Sequence, residues 1–312
     1  MKIGVDLGGT NTVVGLCTDE GALLCKQGTP TRTGDPDGLR ADMRRLALAV
    51  CAEKGVAPDE VCQVGIGVPG SFIKRTCTLT FGTNLQMDDV SFAQAFQPEF
   101  NCPVYLDNDA NCAALGEYIG GAGRGVRNMV MVTLGTGLGG GLILDGKLYT
   151  GANDIAGEIG HMVVHYNGLP CNCGRRGCWE AYSSATGMVR LAEAALARGG
   201  DSLLRGMKAE NGGRLMAKMV CDARDAGDSL ADGVFRQYVE YFACGLNNMI
   251  AILQPEKIVV GGGLAGYGEK LMSPVRALIR RGLMKADCEQ AELVLAELGN
   301  DAGIIGAAML AR

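Results

Sequence analysis

Apolar residues follow two rhythms along this chain. Short runs that alternate or are apolar throughout read as strands: Lys2–Leu7, Thr12–Cys17, Ala22–Cys25, Val61–Val68, Cys102–Leu106, Gly141–Leu144, Lys257–Val260 and one near Leu293–Ala296. Longer stretches repeat at helical spacing. Asp37–Lys54 places Leu39, Met43, Leu46 and Val50 on one face and stops before Gly55. A helix follows Asp107–Asn111 and runs through Tyr118, and another covers Trp179–Ala197. Val234–Leu253 carries Val234, Tyr238, Tyr241, Phe242, Leu246, Met249 and Leu253 on one face, a core pattern, and Gln254-Pro255 stops it. A helix is predicted from about Tyr267, and a small-residue helix closes the chain to Arg312. Residues 200–230 are polar and glycine-broken, and predict no element.

Glycine turns punctuate the strands. Asp6-Leu7-Gly8-Gly9-Thr10 joins two strands as a hairpin. Backbone N–H groups of Gly8, Gly9 and Thr10 suit phosphate oxygens, and Asp6 is placed to reach a divalent cation beside them. The pattern recurs. Met131–Gly137 can be laid on Gly4–Thr10, and both stretches lead into an apolar strand. This weak repeat points to two related domains, each with a phosphate loop, and a nucleotide in the cleft between them. Gly135–Gly140 also satisfies G-x-G-x-x-G, but that fingerprint must open a helix and here a strand follows. Gly141–Leu148 falls one residue short of a P-loop, since Leu148 replaces the Ser or Thr; Asp145-Gly146 reads as a hairpin turn.

Composition narrows the class. The chain has 312 residues, enough for two domains, and 48 glycines, consistent with many close backbone approaches. Its net charge of −5 disfavours nucleic acid, which needs a basic face. The 13 scattered cysteines speak against a disulfide framework and for a reducing cytoplasm. The N-terminal stretch lacks the apolar segment of a signal peptide, and no apolar run is long enough to span a bilayer.

Candidate chemistry concentrates in GEIGHMVVHYNGLPCNCGRRGCWE, Gly157–Glu180. His161, Cys171, Cys173 and Cys178 offer imidazole and sulfur at close spacing, a set that suits structural Zn²⁺. A metal fixing this loop also fixes Glu158 and Glu180, which then present carboxylates to a polar ligand. The strand-to-helix junction Asp107-Asn108-Asp109-Ala110-Asn111 is a second focus, because a helix N-terminus favours an ionised carboxylate. Gly261-Gly262-Gly263, after a strand, lets a flat group such as a purine lie against backbone.

Together these motifs resemble the ROK family (repressors, open reading frames and sugar kinases), and within it the bacterial glucokinases. The resemblance is carried in order by Asp6–Thr10, Asn108–Asp109, Leu134–Gly141, Gly157–His161, Cys171–Glu180 and Gly261–Gly263. It implies a duplicated α/β fold, actin/hexokinase-like (ribonuclease H-like), of two lobes with the active-site cleft between them. Residues 1–120 would form the small lobe, completed by the helix 300–312, and residues 121–299 the large lobe with its zinc loop 157–180. It implies an ATP-dependent hexokinase acting on the primary hydroxyl of a hexose, glucose first. Asp109 would be the general base. Gly70, Asn84, Asn108, Asp109, Glu158, His161 and Glu180 would bind the sugar. Asp6, Gly8, Gly9, Thr10, Asn11, Gly135, Thr136 and Gly137 would serve ATP phosphates and Mg²⁺, with Gly261, Gly262 and Gly263 on the adenosine side. His161 would touch both zinc and sugar. The resemblance also implies a cytoplasmic homo-oligomer, dimer or tetramer.

The chain departs from the family pattern at Met87, where tryptophan is frequent, at Asn11, where lysine is common, and at Asp107, where glutamate is frequent. Met87 leaves the preferred sugar open, with N-acetylmannosamine, allose and fructose as rivals. A non-catalytic sugar sensor is the other class. Family repressors carry an N-terminal winged helix, for which a strand beginning at Lys2 leaves no room.

Overall fold

The structure is a computed structural model and describes residues 1–282 and 291–310. In chain order the strands are β1 (Lys2–Leu7), β2 (Asn11–Cys17), β3 (Leu23–Pro30), β4 (Gln63–Val68), β5 (Ser71–Ile73), β6 (Thr78–Phe81), β7 (Val90–Ser91), β8 (Val104–Asn108), β9 (Met129–Leu134), β10 (Leu138–Leu144), β11 (Lys147–Leu148), β12 (Lys257–Gly261) and β13 (Glu292–Leu295). The helices are α1 (Pro36–Lys54), α2 (Asp109–Gly120), α3 (Glu180–Ser183), α4 (Ala185–Ala197), α5 (Leu203–Glu210), α6 (Ala217–Asp225), α7 (Ser229–Leu253), α8 (Glu269–Arg281) and α9 (Asp301–Ala308).

Two five-stranded sheets repeat one plan. The first has the order β3-β2-β1-β4-β8, the second β11-β10-β9-β12-β13. The orders coincide when β1, β2, β3, β4 and β8 are laid on β9, β10, β11, β12 and β13. In the first sheet β1, β2 and β3 are antiparallel, while β1, β4 and β8 are parallel. In the second, β10 and β11 are antiparallel and β12 and β13 parallel. The duplication expected from the glycine turns is therefore present in the topology. A small sheet, β5-β6-β7, stands apart. The chain divides into two compact units, Met1–Met131 with Gly141–Gly157 and Ala296–Arg312, and Val132–Gly140 with Glu158–Leu295.

In the first unit, β4 is buried along its whole length, as a central parallel strand must be. Helix α1 covers the sheet with Leu39, Met43, Leu46 and Val50; Asp35 caps its start and Gly55, at φ 67°, ends it. Helix α9 lies unusually close to the strands. A Cβ on Gly4 would stand 1.9 Å from the Ile304 carbonyl oxygen, and one on Gly65 would stand 1.7 Å from that of Ala307. Helices α2 and α9 meet the same way, through Gly116 against Ala302 and Gly306 against Cys112. The fully buried Glu117 accepts backbone N–H groups from Ala122 (2.9 Å), Glu297 (3.1 Å) and Leu298 (2.8 Å), so its charge is met by three donors.

The second unit is built around Trp179, which is fully buried. Its indole stacks on Phe242 with ring centroids 5.7 Å apart and donates to the Tyr241 carbonyl at 3.1 Å. Gly245 makes room for it on α7, since a Cβ there would lie 2.1 Å from the indole.

Several predicted elements shift. The third strand is longer than Ala22–Cys25, because alternation continues through polar residues at a half-exposed edge. The helix predicted over Trp179–Ala197 breaks at Ser184, whose side chain caps α4 by accepting the Gly187 N–H. The stretch 200–230 does fold, into α5, which buries only Leu204, and α6, whose buried Ala217, Val220 and Cys221 keep helical spacing over a short span. Helix α8 contains Pro274 in its first turns. The last residues of the predicted C-terminal helix, 311–312, lie outside the described residues.

Candidate active site

In the first unit, the turn between β1 and β2 closes through the Gly8 N–H on the Asn11 carbonyl at 3.0 Å. Thr31 holds it from behind: its hydroxyl donates to the Gly8 carbonyl at 2.7 Å and its N–H to the Thr10 carbonyl at 2.9 Å. The turn borders a cleft of about 510 Å³ whose lining includes Asp6, Gly8, Gly9, Thr10, Asn11, Lys26 and Asn300. Asp6 is half-buried at the end of β1, and its carboxyl is pushed up to about 6, first by burial and then by the negative charge of Asp109. These two carboxylates therefore share one electrostatic field.

Asp109 opens α2 and stays exposed, with Oδ1 accepting the Ala110 N–H at 2.8 Å. Asn108 is the helix cap, accepting the Ala110 N–H at 2.8 Å and the Asn111 N–H at 3.3 Å. Buried Asp107 supports both by accepting the Asn108 N–H at 2.8 Å and the Asn111 side chain at 2.9 Å. Each polar residue in this run thus has a distinct task, and capping accounts for only one of them.

The loop that carries Asn84 meets the turn Gly8–Thr10. A Cβ on Gly9 would lie 3.1 Å from the Asn84 Cβ, so glycine there lets the two loops touch. Gly70, at φ 119°, passes so close to the Phe81 carbonyl that a Cβ would stand 2.3 Å from it. Met87 is buried in the core cluster, and its carbonyl accepts the Gly82 N–H at 3.0 Å, which closes the turn that displays Asn84. The structure thus brings Asp6, Gly8, Gly9, Thr10, Asn11, Gly70, Asn84, Asn108 and Asp109 into one unit.

In the second unit, the ligand atoms of His161, Cys171, Cys173 and Cys178 all lie within 4.8 Å of one another. Cys171 Sγ is 3.7 Å from His161 Nδ1, and Cys173 Sγ is 3.6 Å from Cys178 Sγ. Zn–S bonds of about 2.3 Å at tetrahedral angles imply S–S separations of about 3.8 Å, so the cluster has the dimensions of a zinc site. The thiols are tuned apart. Cys173 is drawn down to about 6, although burial acts upward, by hydrogen bonds from the Arg175 backbone and side chain and from the neighbouring thiols. Cys178 is pushed up to about 12, first by burial and then by those sulfurs.

Glu180 joins this loop to the second glycine turn. Its Oε2 accepts the Leu138 N–H at 3.0 Å, and its Oε1 faces Cys171 Sγ at 3.8 Å. His161 Nε2 faces Glu158 Oε2 at 3.9 Å while Nδ1 faces sulfur, so the two ring nitrogens serve different neighbours. The turn Gly135-Thr136-Gly137 is tied to α4, since the Gly135 carbonyl accepts the Ala185 N–H at 2.9 Å and the Thr136 carbonyl accepts the Thr186 hydroxyl at 2.8 Å. Gly262, at φ 87°, lies against the Leu134 backbone, where a Cβ would come within 2.6 Å. It places Gly261–Gly263 beside that turn.

Sequence reasoning missed Arg175, whose guanidinium donates to the His161 carbonyl at 3.0 Å, and Trp179, whose backbone N–H donates to the Met162 carbonyl at 2.7 Å. Both hold the loop through backbone atoms, and a backbone acceptor has no signature in a residue string.

The ROK family profile matches residues 2–312. The chain belongs to the ROK family. It is 37% identical over 309 residues to a glucokinase from Thermotoga maritima, covering 99% of this chain and 96% of that one. A glucokinase from Halalkalibacterium halodurans is 36% identical over 316 residues, covering 99% and 94%. Among solved structures, a ROK family glucokinase from Streptomyces griseus in complex with glucose and AMPPNP superposes with a TM-score of 0.78 at 33% identity, covering 99% of this chain and 98% of that one. The duplicated sheets of this ROK protein are the actin/hexokinase-like α/β fold. Among the described residues no helix is long and apolar enough to cross a membrane.

Proposed function

We propose that this ROK protein is an ATP-dependent glucokinase that transfers the γ-phosphoryl group to the 6-hydroxyl of glucose. The observation that carries the reading is the grouping of Asp109 at the mouth of α2 with Asp6 and the Gly8–Thr10 turn in one unit. Phosphoryl transfer is chiefly positioning and charge stabilisation, and that grouping supplies a base, a cation site and a phosphate cradle together. The similarity to glucokinases over nearly the full chain supports glucose over other hexoses.

Asn84, Asn108, Glu158, His161 and Glu180 hold the sugar hydroxyls, and Gly70, packed against the Phe81 carbonyl, joins Asn84 and Asn108 in binding the sugar. Asp109 accepts the proton of the 6-hydroxyl as that oxygen bonds to the γ-phosphorus. The bond from the γ-phosphorus to its bridging oxygen breaks, and ADP carries away the negative charge. Asp6 holds Mg²⁺, which supplies charge neutralisation at the phosphates when bound. Backbone amides of Gly8–Asn11 and Gly135–Gly137 cradle the phosphates, and Gly261–Gly263 flanks the adenosine. His161, Cys171, Cys173 and Cys178 hold Zn²⁺. Zn²⁺ held there would supply rigidity and no chemistry, stiffening the wall that carries Glu158, His161 and Glu180. We place the enzyme in the cytoplasm, where ATP is available, as a homo-oligomer.

A coupled ADP-release assay with glucose, N-acetylmannosamine, allose, fructose and mannose tests the reading. The highest kcat/KM is expected with glucose. ADP release that no sugar stimulates would reject kinase activity, and a clear preference for another sugar would reject glucose.

A further inference from the structure

Lys74 lies in the short turn Lys74–Thr76 between β5 and β6, at the base of the arm that displays Asn84. Its ammonium is 2.6 Å from Asp107 Oδ2 and 3.3 Å from Asp154 Oδ1. The Asp107 side chain is only 4% exposed and that of Lys74 26%, so a buried carboxylate is met by a partly shielded ammonium. The other Asp107 oxygen, Oδ1, receives the Asn108 N–H at 2.8 Å and the Asn111 amide at 2.9 Å. One carboxylate is thus held on one side by the arm and on the other by the turn that carries Asp109. With both oxygens engaged, it cannot rotate without releasing one set of partners.

The second contact extends the clamp. Asp154 Oδ1 also accepts the Thr150 hydroxyl at 3.1 Å, and its backbone is held at φ 62°. This loop runs in sequence directly into Glu158. Lys74 therefore touches or supports three segments that each carry a sugar-binding group: the Asn84 arm, the Asn108–Asp109 junction and the approach to Glu158. It is also the cation that opposes Asp6, Asp107 and Asp109 in the field at the buried Cys112 thiol.

We propose that Lys74 is a positioning residue for sugar phosphorylation, clamping the Asp107 carboxylate so that Asn108 and Asp109 keep their geometry against the Asn84 arm. The inference rests on the sugar-kinase reading above. Its test is steady-state kinetics and thermal melting of the full chain with MgATP and glucose. Lys74→Met is expected to lower kcat by on the order of 10- to 100-fold, with KM for ATP within about twofold of wild type, because small misplacements of a reacting group are costly. Lys74→Arg keeps the cation and is expected to recover most of the loss. Lys74→Met leaves Asp107 buried without its partner and endangers folding. Lys74→Met/Asp107→Asn removes both charges; it is expected to regain thermal stability while kcat stays low. A purely structural pair would return kcat together with stability. Wild-type kcat in Lys74→Met or in the double variant overturns the assignment. Wild-type protein that never turns over sugar overturns the kinase reading instead, and this inference falls with it.

Discussion

Burial, and then the negative charge of Asp109, makes Asp6 sensitive to pH. Its folded pKa of about 6 stands above the ordinary carboxylate range because of burial and then Asp109. For an acid raised in this way, the folded state binds the proton more tightly than the unfolded chain. Its ionisation therefore opposes folding above about pH 6, and that opposition fades as pH falls toward the unfolded value near 3.8. Melting of the ligand-free protein followed from pH 7.5 to 5 should show this group's stabilising contribution rising. In Asp6→Asn that contribution should vanish, with a gain on the order of 3 kcal/mol at pH 7.5. MgADP binding should run the opposite way and weaken below about pH 6, since a cation needs Asp6 ionised. A flat pH response of wild type relative to Asp6→Asn would contradict the argument. For Asp109, the proposed general base, Asp109→Asn should lower kcat roughly 10²- to 10⁴-fold. Glucose affinity, measured by intrinsic fluorescence or calorimetry, should change only a few-fold. Turnover near wild type would remove Asp109 from proton transfer.

At the scale of elements, the Cys/His loop and helix α9 are each held by a different physical device. The loop Gly157–Glu180 has little regular structure, and its order comes from convergent side chains and from Arg175 and Trp179 on its backbone. Cys173→Ser, or dialysis against a strong chelator, should release one zinc per chain by mass or dye assay. KM for glucose should rise about tenfold or more, while KM for ATP moves less. Zinc content of zero in purified, active protein would refute the metal assignment. Helix α9 is held instead by the absence of side chains. Gly65 faces the Ala307 carbonyl at a distance that no Cβ tolerates. Gly65→Ala should destabilise the fold by about 3 kcal/mol or more, beyond the usual overpacking penalty, because backbone must move. An unchanged melting temperature would show that α9 adjusts freely.

For the whole molecule, the duplicated plan predicts that ligands and stability are linked. A ligand that binds only folded protein stabilises it by about 2.7 kcal/mol at a hundredfold excess over its Kd. Glucose and MgADP should therefore each raise the melting temperature, and Asp6→Asn should abolish the MgADP shift while keeping the glucose shift. Losing both shifts together would mean that the two sites are not separable in the way the residues suggest.

Strand positions, glycine turns, the internal repeat and the Cys/His spacing were legible because each is local. Alternation, a glycine pair or a C-x-C needs only neighbouring residues to declare itself, and Asp6, Asp109, His161, Cys171, Cys173 and Cys178 were visible for that reason. Less was legible in 200–230, where α5 buries only Leu204 and the apolar rhythm of α6, Ala217, Val220 and Cys221, lasts barely two turns. What the tertiary structure alone decided was every pairing of distant residues. Lys74 reaches Asp107 across 33 positions, Glu180 takes the Leu138 amide across 42, and Gly65 meets the Ala307 carbonyl. Such contacts depend on where the backbone returns after a long excursion, and on atoms that every residue shares. A string of side-chain letters therefore names the chemistry available to this protein, while only the folded chain selects the partners.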